Sequence, residues 1–142
     1  MMKKLIAIAL AVVMLLALVS CDKSSAVKKA FEKEGYKVET LDAENSDVKV
    51  VLTMLLSEKQ MEEAAKYEIL YVSMDGFVNA GKKAVIIKFP GASDVEAFFT
   101  VEKDDGSKDT SAYEKAEKDG WINGNCVIIT ASSDCLGVFK EA

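Results

Sequence analysis

The sequence predicts an α+β domain, and local signals of two kinds support that class. Residues 84–89 are rich in β-branched apolar side chains and end at Pro90-Gly91, which is typical of a buried strand. Ser93 then precedes apolar side chains at helical spacing, namely Val95, Phe98 and Phe99. Signals of both kinds recur along the chain and are separated by short polar connections. We therefore expect helices packed on an antiparallel sheet.

The first half of the domain is predicted to alternate helix and strand. A helical pattern begins at residue 26, with Val27, Ala30 and Phe31 on its apolar side, and stops at Gly35. Residues 36–41 predict a short strand. Ser46 is the expected N-cap of a helix over residues 47–56. Ser57 and Gln60 have the spacing of a capping box, which predicts a bend and a second helical run over residues 57–66. Residues 67–74 predict the next strand.

The second half begins with a connection over residues 75–83 and the strand at 84–89. The helix that Ser93 caps is followed by an acidic break, and a further helix is expected over residues 111–119 with Gly120 as its C-cap. Asn123-Gly124 predicts a type I′ turn between a short arm, residues 121–122, and a last strand over residues 125–131. Ser132 or Ser133 then caps a final helix.

Without the first and last helices, the predicted order is strand, helix, strand, strand, helix, strand. This βαββαβ order resembles the ferredoxin-like arrangement, the split βαβ motif. The resemblance implies an antiparallel sheet of about four strands with helices on one face, to which the N- and C-terminal helices are added. Because it is a resemblance of element order, it carries no function with it.

The first 21 residues have the features of a lipoprotein signal. Lys3 and Lys4 precede an uncharged apolar run over residues 5–19, which is shorter than the roughly 20 residues that span a bilayer. The run ends in Leu18-Val19-Ser20-Cys21, which resembles the lipobox of bacterial lipoprotein precursors. The resemblance implies that the Cys21 thiol is lipidated and that the chain is cleaved between Ser20 and Cys21. An ordinary secretory signal with a chance cysteine, or an uncleaved anchor, is the alternative.

This interpretation divides the chain into a signal peptide at 1–20, a lipidated tether at 21–25 and a single domain at 26–142. The mature protein would have 142 − 20 = 122 residues, enough to bury a core. It would be held on the extracytoplasmic face of the cell membrane through Cys21. Lys23, Lys28 and Lys29 follow closely, so they either contact the membrane surface or only solubilise an exposed helix face.

Composition restricts the chemistry of the domain. The chain has no histidine, and all of its cations are lysines. Catalytic triads, imidazole metal ligands and guanidinium clamps are therefore excluded. The acidic balance of 18 Lys+Arg against 23 Asp+Glu also argues against a nucleic-acid partner. We expect a non-enzymatic domain without a cofactor that binds another envelope protein or a small ligand. A hydrolase with paired carboxylates is the enzymatic alternative.

Two further segments resemble ligand-binding motifs without matching them. Residues 76–83 nearly match the phosphate-binding pattern G-x-x-x-x-G-K-[ST], but Lys83 replaces the hydroxyl residue and a strand follows where a helix should begin. A hairpin loop is therefore expected. Asp104, Asp105 and Asp109 lack the spacing of a calcium-binding EF-hand loop, so a solvated acidic turn is favoured over a weak Ca²⁺ site.

Cys126 and Cys135 would remain after lipidation of Cys21. An even pair outside the cytoplasm suggests a disulfide or a thiol redox module. However, a strand that starts at Cys126 carries the chain about 16 Å before the last helix begins, whereas a disulfide needs Cα atoms within about 7 Å. Two buried apolar side chains are the alternative.

The lipobox interpretation makes one direct prediction. Because the thiol itself accepts the lipid, Cys21→Ser should abolish lipidation and block cleavage after Ser20. Metabolic labelling with a radioactive fatty acid and mass spectrometry of the N-terminus measure both. A Cys21→Ser protein that is still membrane-bound with a cleaved N-terminus would contradict the interpretation.

Overall fold

The computed structural model describes residues 22–142, so Ser20, Cys21 and the predicted signal peptide lie outside the described residues. Six helices and seven strands follow one another in that part of the chain. The helices are α1 (Ser24–Lys33), α2 (Ser46–Leu55), α3 (Glu58–Ala64), α4 (Ala92–Phe99), α5 (Ser111–Lys118) and α6 (Ser133–Glu141). The strands are β1 (Lys37–Leu41), β2 (Glu68–Ser73), β3 (Lys83–Lys88), β4 (Val101–Glu102), β5 (Lys108–Asp109), β6 (Ile122–Asn123) and β7 (Cys126–Ile129).

Five strands form one antiparallel sheet in the order β1-β2-β3-β7-β6. The central ladder aligns Glu68 with Lys88 and Lys88 with Cys126, so these residues lie at the same end of the sheet. Ser73 and Lys83 are partners at the opposite end. Strands β4 and β5 form a separate two-stranded sheet. The prediction of an antiparallel sheet in an α+β domain is confirmed.

The ferredoxin-like arrangement is not confirmed. In a split βαβ motif the strands on either side of a helix are parallel and separated by another strand, whereas β1 and β2 are antiparallel neighbours here. Strands β3 and β7 are also antiparallel neighbours. The sheet has five strands rather than about four, because Ile122–Asn123 adds a short strand beside β7.

Helices cover both faces of the sheet, so the expectation of helices on one face is wrong. On one face, α1 and α6 pack on Leu70, Val72, Ala84, Ile86, Cys126 and Ile128. On the other face, α2 to α5 pack on Ile69, Val85, Ile87, Val127 and Ile129. The physical reason is that β3 and β7 carry buried apolar side chains at successive positions. Since neighbouring side chains of a strand point to opposite faces, both faces must be covered.

The N-caps of two helices differ from the prediction, by one residue in α2 and by two in α4. The N-cap of α2 is Asn45 rather than Ser46, and its side chain accepts hydrogen bonds from two backbone N–H groups. Helix α4 follows Gly91 and begins before Ser93. The predicted capping box of Ser57 and Gln60 is confirmed. Ser132 caps α6 by accepting a hydrogen bond from the backbone of Cys135.

The hairpin before the last strand is confirmed, but its turn is of another type. Asn123 pairs with Cys126, so the two central residues are Gly124 and Asn125. Gly124 has φ of 60°, and no residue other than glycine has a positive φ among the described residues. A positive φ at the first central position alone is the geometry of a type II′ turn rather than type I′.

The predicted tether is shorter than expected. Helix α1 already begins at Ser24, so 24 and 25 belong to the folded domain rather than to an extended linker. Asp22 and Lys23 are also held by contacts with the domain. Within residues 22–142, none of the helices is long and apolar enough to cross a membrane.

Because the sheet is buried on both faces, alanine substitutions at adjacent positions of β3 should lower the free energy of unfolding by similar amounts. Ile86 and Ile87 are both fully buried, but they point to opposite faces of the sheet. Each change to alanine should lower the free energy of unfolding by about 2–5 kcal/mol in urea denaturation. The exposed Val101 provides the control, because Val101→Ala should change the free energy of unfolding by no more than about 0.5 kcal/mol. A large loss at only one isoleucine would contradict the three-layer packing.

Candidate functional site

The described chain begins at a junction between its first residue and the sheet. The Asp22 carboxylate accepts hydrogen bonds from the backbone N–H and the hydroxyl of Ser24, at 3.0 and 2.7 Å. Its other oxygen lies 3.1 Å from Nζ of Lys88, the last residue of β3. The Ser24 hydroxyl, then the Ser24 backbone N–H and then Lys88 lower the pKa of Asp22 from 3.8 to about 2. The carboxylate is therefore ionised near neutral pH.

Asn125 fixes the next residue of the chain. Its side-chain oxygen accepts a hydrogen bond of 2.8 Å from the backbone N–H of Lys23. Its side-chain nitrogen donates to the carbonyl of Phe89, also at 2.8 Å. Asn125 is one of two buried polar residues in residues 22–142, the other being Thr130. We call the set Asp22, Lys23, Lys88 and Asn125 the N-terminal junction.

The three lysines that were predicted as membrane contacts lie at or near the start of α1. Lys23 is the N-cap residue of the helix, and its side chain is half-buried. Lys28 and Lys29 are exposed, whereas Val27 and Phe31 face the core. The predicted apolar stripe of this helix is therefore confirmed, and contact between the lysines and a membrane stays a prediction.

The segment that resembles a phosphate-binding loop is a hairpin connection, as expected. It contains a short 3-10 turn, Phe77–Asn79, and leads into β3 rather than into a helix. Nζ of Lys82 lies 3.8 Å from a carboxylate oxygen of Asp134. The side chains of Phe77 and Val78 are 97% and 91% exposed at the tip of this loop.

The acidic segment forms solvent-exposed turns. Asp105 accepts hydrogen bonds from Ser107, and Asp109 accepts hydrogen bonds from Ser111. These serine contacts lower the pKa of both carboxyl groups. Among residues 22–142 there is no group of three or more acidic, cysteine or histidine side chains that could hold a metal ion.

Cys126 and Cys135 are free and fully buried on the α1/α6 face of the sheet. The structure therefore places them as core residues and does not join them in a disulfide. Burial raises the pKa of Cys126 to about 12, and burial also raises the pKa of Cys135. A protonated thiol is a poor nucleophile, so neither side chain has the environment of a reactive cysteine.

A groove that no sequence motif predicted runs between α3, α4 and α5. Its central cavity, about 530 Å³, has an apolar floor that includes Phe98, Phe99 and Val101. The α3 wall consists of polar residues, namely Ser57, Lys59, Gln60 and Glu63. Both volume and composition are in the range of small-molecule sites in proteins. We call this the α3–α5 groove.

The groove continues at both ends. At one end it shares Lys59, Ala97 and Thr100 with a polar cavity of about 460 Å³, which is also lined by Glu96, Glu102 and Lys108. At the other end it shares Gln60, Phe99 and Ala112 with a cavity of about 340 Å³ that reaches Leu55, Leu56 and Trp121. The result is a continuous surface that is polar at one end and mainly apolar along the rest, where polar side chains of α3 and α5 form part of the wall.

The charged groups at the polar end are available to a ligand. Lys59 and Lys108 form no ion pair within residues 22–142. Glu96 and Glu102 line the same cavity and are exposed. Phe98 and Phe99 were predicted from the sequence as core residues, and they do lie in the core. The sequence did not predict that they also form the floor of the groove.

Comparison with known proteins identifies no relative of this chain. No protein-family model matches the chain, and no curated protein or solved structure is significantly similar to it.

The junction predicts a small stability change that depends on pH. Asp22→Asn removes the charge that pairs with Lys88, and the two side chains are 44% and 31% exposed. After allowance for solvent screening, the loss near pH 7 should be at most about 1 kcal/mol in urea denaturation. The folded-state pKa of about 2 lies below the reference value of 3.8. The contribution of Asp22 is therefore complete above that reference value and is lost as the pH falls through about 2.

The difference between the native protein and Asp22→Asn should accordingly shrink as the pH is lowered from neutral. A control is Lys37→Gln, which breaks the exposed Lys37–Glu39 pair, because Lys37 is aligned with Ser73 at the opposite end of the sheet. A difference that grows toward acid pH would contradict the assigned role of the Asp22 carboxylate.

Proposed function

We propose that this chain is a membrane-anchored extracytoplasmic lipoprotein whose domain is a non-enzymatic binding module. The α3–α5 groove carries the binding part of the proposal. It is large enough for a small molecule, and a ligand would remove from water the exposed side chain of Val101 and the small uncovered parts of Phe98 and Phe99. The sequence pattern over residues 3–21 supports the anchor.

The groove favours an amphipathic ligand. The apolar part would lie on Phe98, Phe99 and Val101, where burial of apolar surface supplies most of the binding free energy. The polar part would reach the end lined by Lys59 and Lys108, whose ammonium groups donate hydrogen bonds to an anionic or carbonyl oxygen. Glu96 and Glu102 could accept hydrogen bonds from the same polar part.

The fluorescent probe 1-anilinonaphthalene-8-sulfonate tests the groove, because it joins an apolar ring system to an anionic group. We expect saturable binding at one site of the folded mature domain. Ala97 lines both the central and the polar cavity, so Ala97→Phe should fill the groove and weaken binding by about tenfold or more, equivalent to about 1.4 kcal/mol.

Ala26→Phe is the matched control for this experiment. Ala26 is also an exposed helical alanine, but it lies in α1, which packs on the opposite face of the sheet. Its replacement should leave binding of the probe unchanged. Equal binding by the native domain and Ala97→Phe would show that the groove is not the site. Crosslinking in intact cells would then test for an envelope protein as the partner.

A hydrolase that uses paired carboxylates is the second candidate function, because Glu96 and Glu102 line the same polar cavity. A general acid in such an enzyme needs a raised pKa, which burial usually provides, whereas both side chains are exposed. Hydrolysis of cell-wall glycan by the mature protein that disappears in Glu96→Gln and Glu102→Gln would favour this candidate over the binding module.

A further inference from the structure

The N-terminal junction determines where the membrane anchor is attached. Asp22 contacts Lys88, and the backbone of Lys23 is bound by Asn125. Cys21 directly precedes Asp22 in the sequence, so a lipid on Cys21 would be attached one residue from this junction. A lipid on Cys21 would therefore emerge directly from the folded domain, without a flexible linker between them.

The junction lies at one end of the central sheet. Lys88 ends β3 and is aligned with Glu68 and Cys126, the first residues of β2 and β7. The C-terminus is held at the same end, because the side chain of Asn123 donates to the carbonyls of Phe139 and Ala142. Both ends of the described chain are thus bound by asparagines of the β6–β7 hairpin.

The loop that follows β2, residues 76–81, lies beyond the opposite end of the sheet. It connects Ser73 to Lys83, which are aligned partners at that end. Strand β3 separates Lys83 from Lys88 by five steps of about 3.3 Å, or roughly 17 Å. We call residues 76–81 the distal loop.

We propose that the N-terminal junction holds the Lys88 end of the sheet against the lipid bilayer and directs the distal loop away from it. The proposal rests on the lipidation of Cys21 in the proposed function. Because the residue that would carry the lipid, Cys21, directly precedes Asp22 in the sequence, the partner of this surface is a lipid bilayer. In this orientation, α1 starts at the bilayer and rises from it.

The positions of the lysines on α1 agree with this orientation. Lys29 is five residues beyond Ser24, which corresponds to an axial rise of about 8 Å. Lys28 and Lys29 would therefore stay within about one Debye length of the surface, where an anionic leaflet attracts them. Both side chains are exposed.

The orientation can be measured with fluorescent labels at the two ends of the sheet. Glu44 is exposed in the connection after β1, whose last residue Leu41 is aligned with Ile69 near the junction end. Val78 is exposed in the distal loop. Dyes are attached to Glu44→Cys or to Val78→Cys in the lipidated mature protein. Selective labelling is feasible because Cys126 and Cys135 are buried and a lipidated Cys21 has no free thiol.

The labelled proteins are bound to phosphatidylcholine/phosphatidylglycerol vesicles that contain a lipid with a nitroxide in its head group. We expect several-fold stronger quenching of the dye at position 44 than of the dye at position 78. A flexible Gly/Ser spacer of about twelve residues between Cys21 and Asp22, with a root-mean-square span of roughly 20 Å, should remove most of that difference.

The double variant Asp22→Asn/Lys88→Gln should reduce the difference without a spacer. The control Lys37→Gln, which breaks an exposed ion pair at the opposite end of the sheet, should preserve it. Equal quenching at positions 44 and 78 on a protein that floats with the vesicles would overturn the orientation alone. So would a difference that the spacer does not alter. A protein that does not float with the vesicles would overturn the proposed lipid anchor, and the orientation with it.

Discussion

The fold depends on the need to keep water from both faces of two central strands. In β3 and β7, residues 84–87 and 126–129 are buried at every position. Burying each large aliphatic side chain stabilises the folded state by about 1.5–3 kcal/mol. The protein gains this free energy on both faces only if helices cover both faces. The chain meets this requirement with four helices on one face and two on the other. Six helices around a five-stranded sheet follow from the composition of these strands.

The distribution of helices connects the chain ends to the core. The four internal helices cover one face, so the first and last helices must cover the other. Phe31 of α1 and Phe139 of α6 are fully buried there. The β6–β7 hairpin then binds both chain ends, through Asn125 to Lys23 and through Asn123 to Ala142. An anchor attached before Asp22 would therefore be mechanically coupled to the whole domain rather than to a mobile tail.

The α3–α5 groove owes its chemistry to the kinds of charged side chain in the chain and to the way in which α3, α4 and α5 pack. Without histidine or arginine, the groove has lysines and carboxylates as its only charged groups. Its apolar floor exists because α4 ends where Phe98 and Phe99 pack on the core, while α3 and α5 leave part of that surface uncovered. Helix α3 has only Ala64 as a buried residue, so it forms a wall and contributes little to the core.

Local patterns in the sequence were enough to predict the individual helices and strands, because caps, turns and apolar spacing act over a few residues. The Ser57 capping box, the strand at β3 and the stripe of Val27 and Phe31 were all predictable in this way. The lack of alternation between apolar and polar residues in β3 and β7 also indicated two buried faces, since neither strand has a polar face. The strand order, the groove and the N-terminal junction became visible only in the folded protein. Each of these depends on residues far apart in the chain, such as Lys23 and Asn125, whose meeting no local pattern encodes.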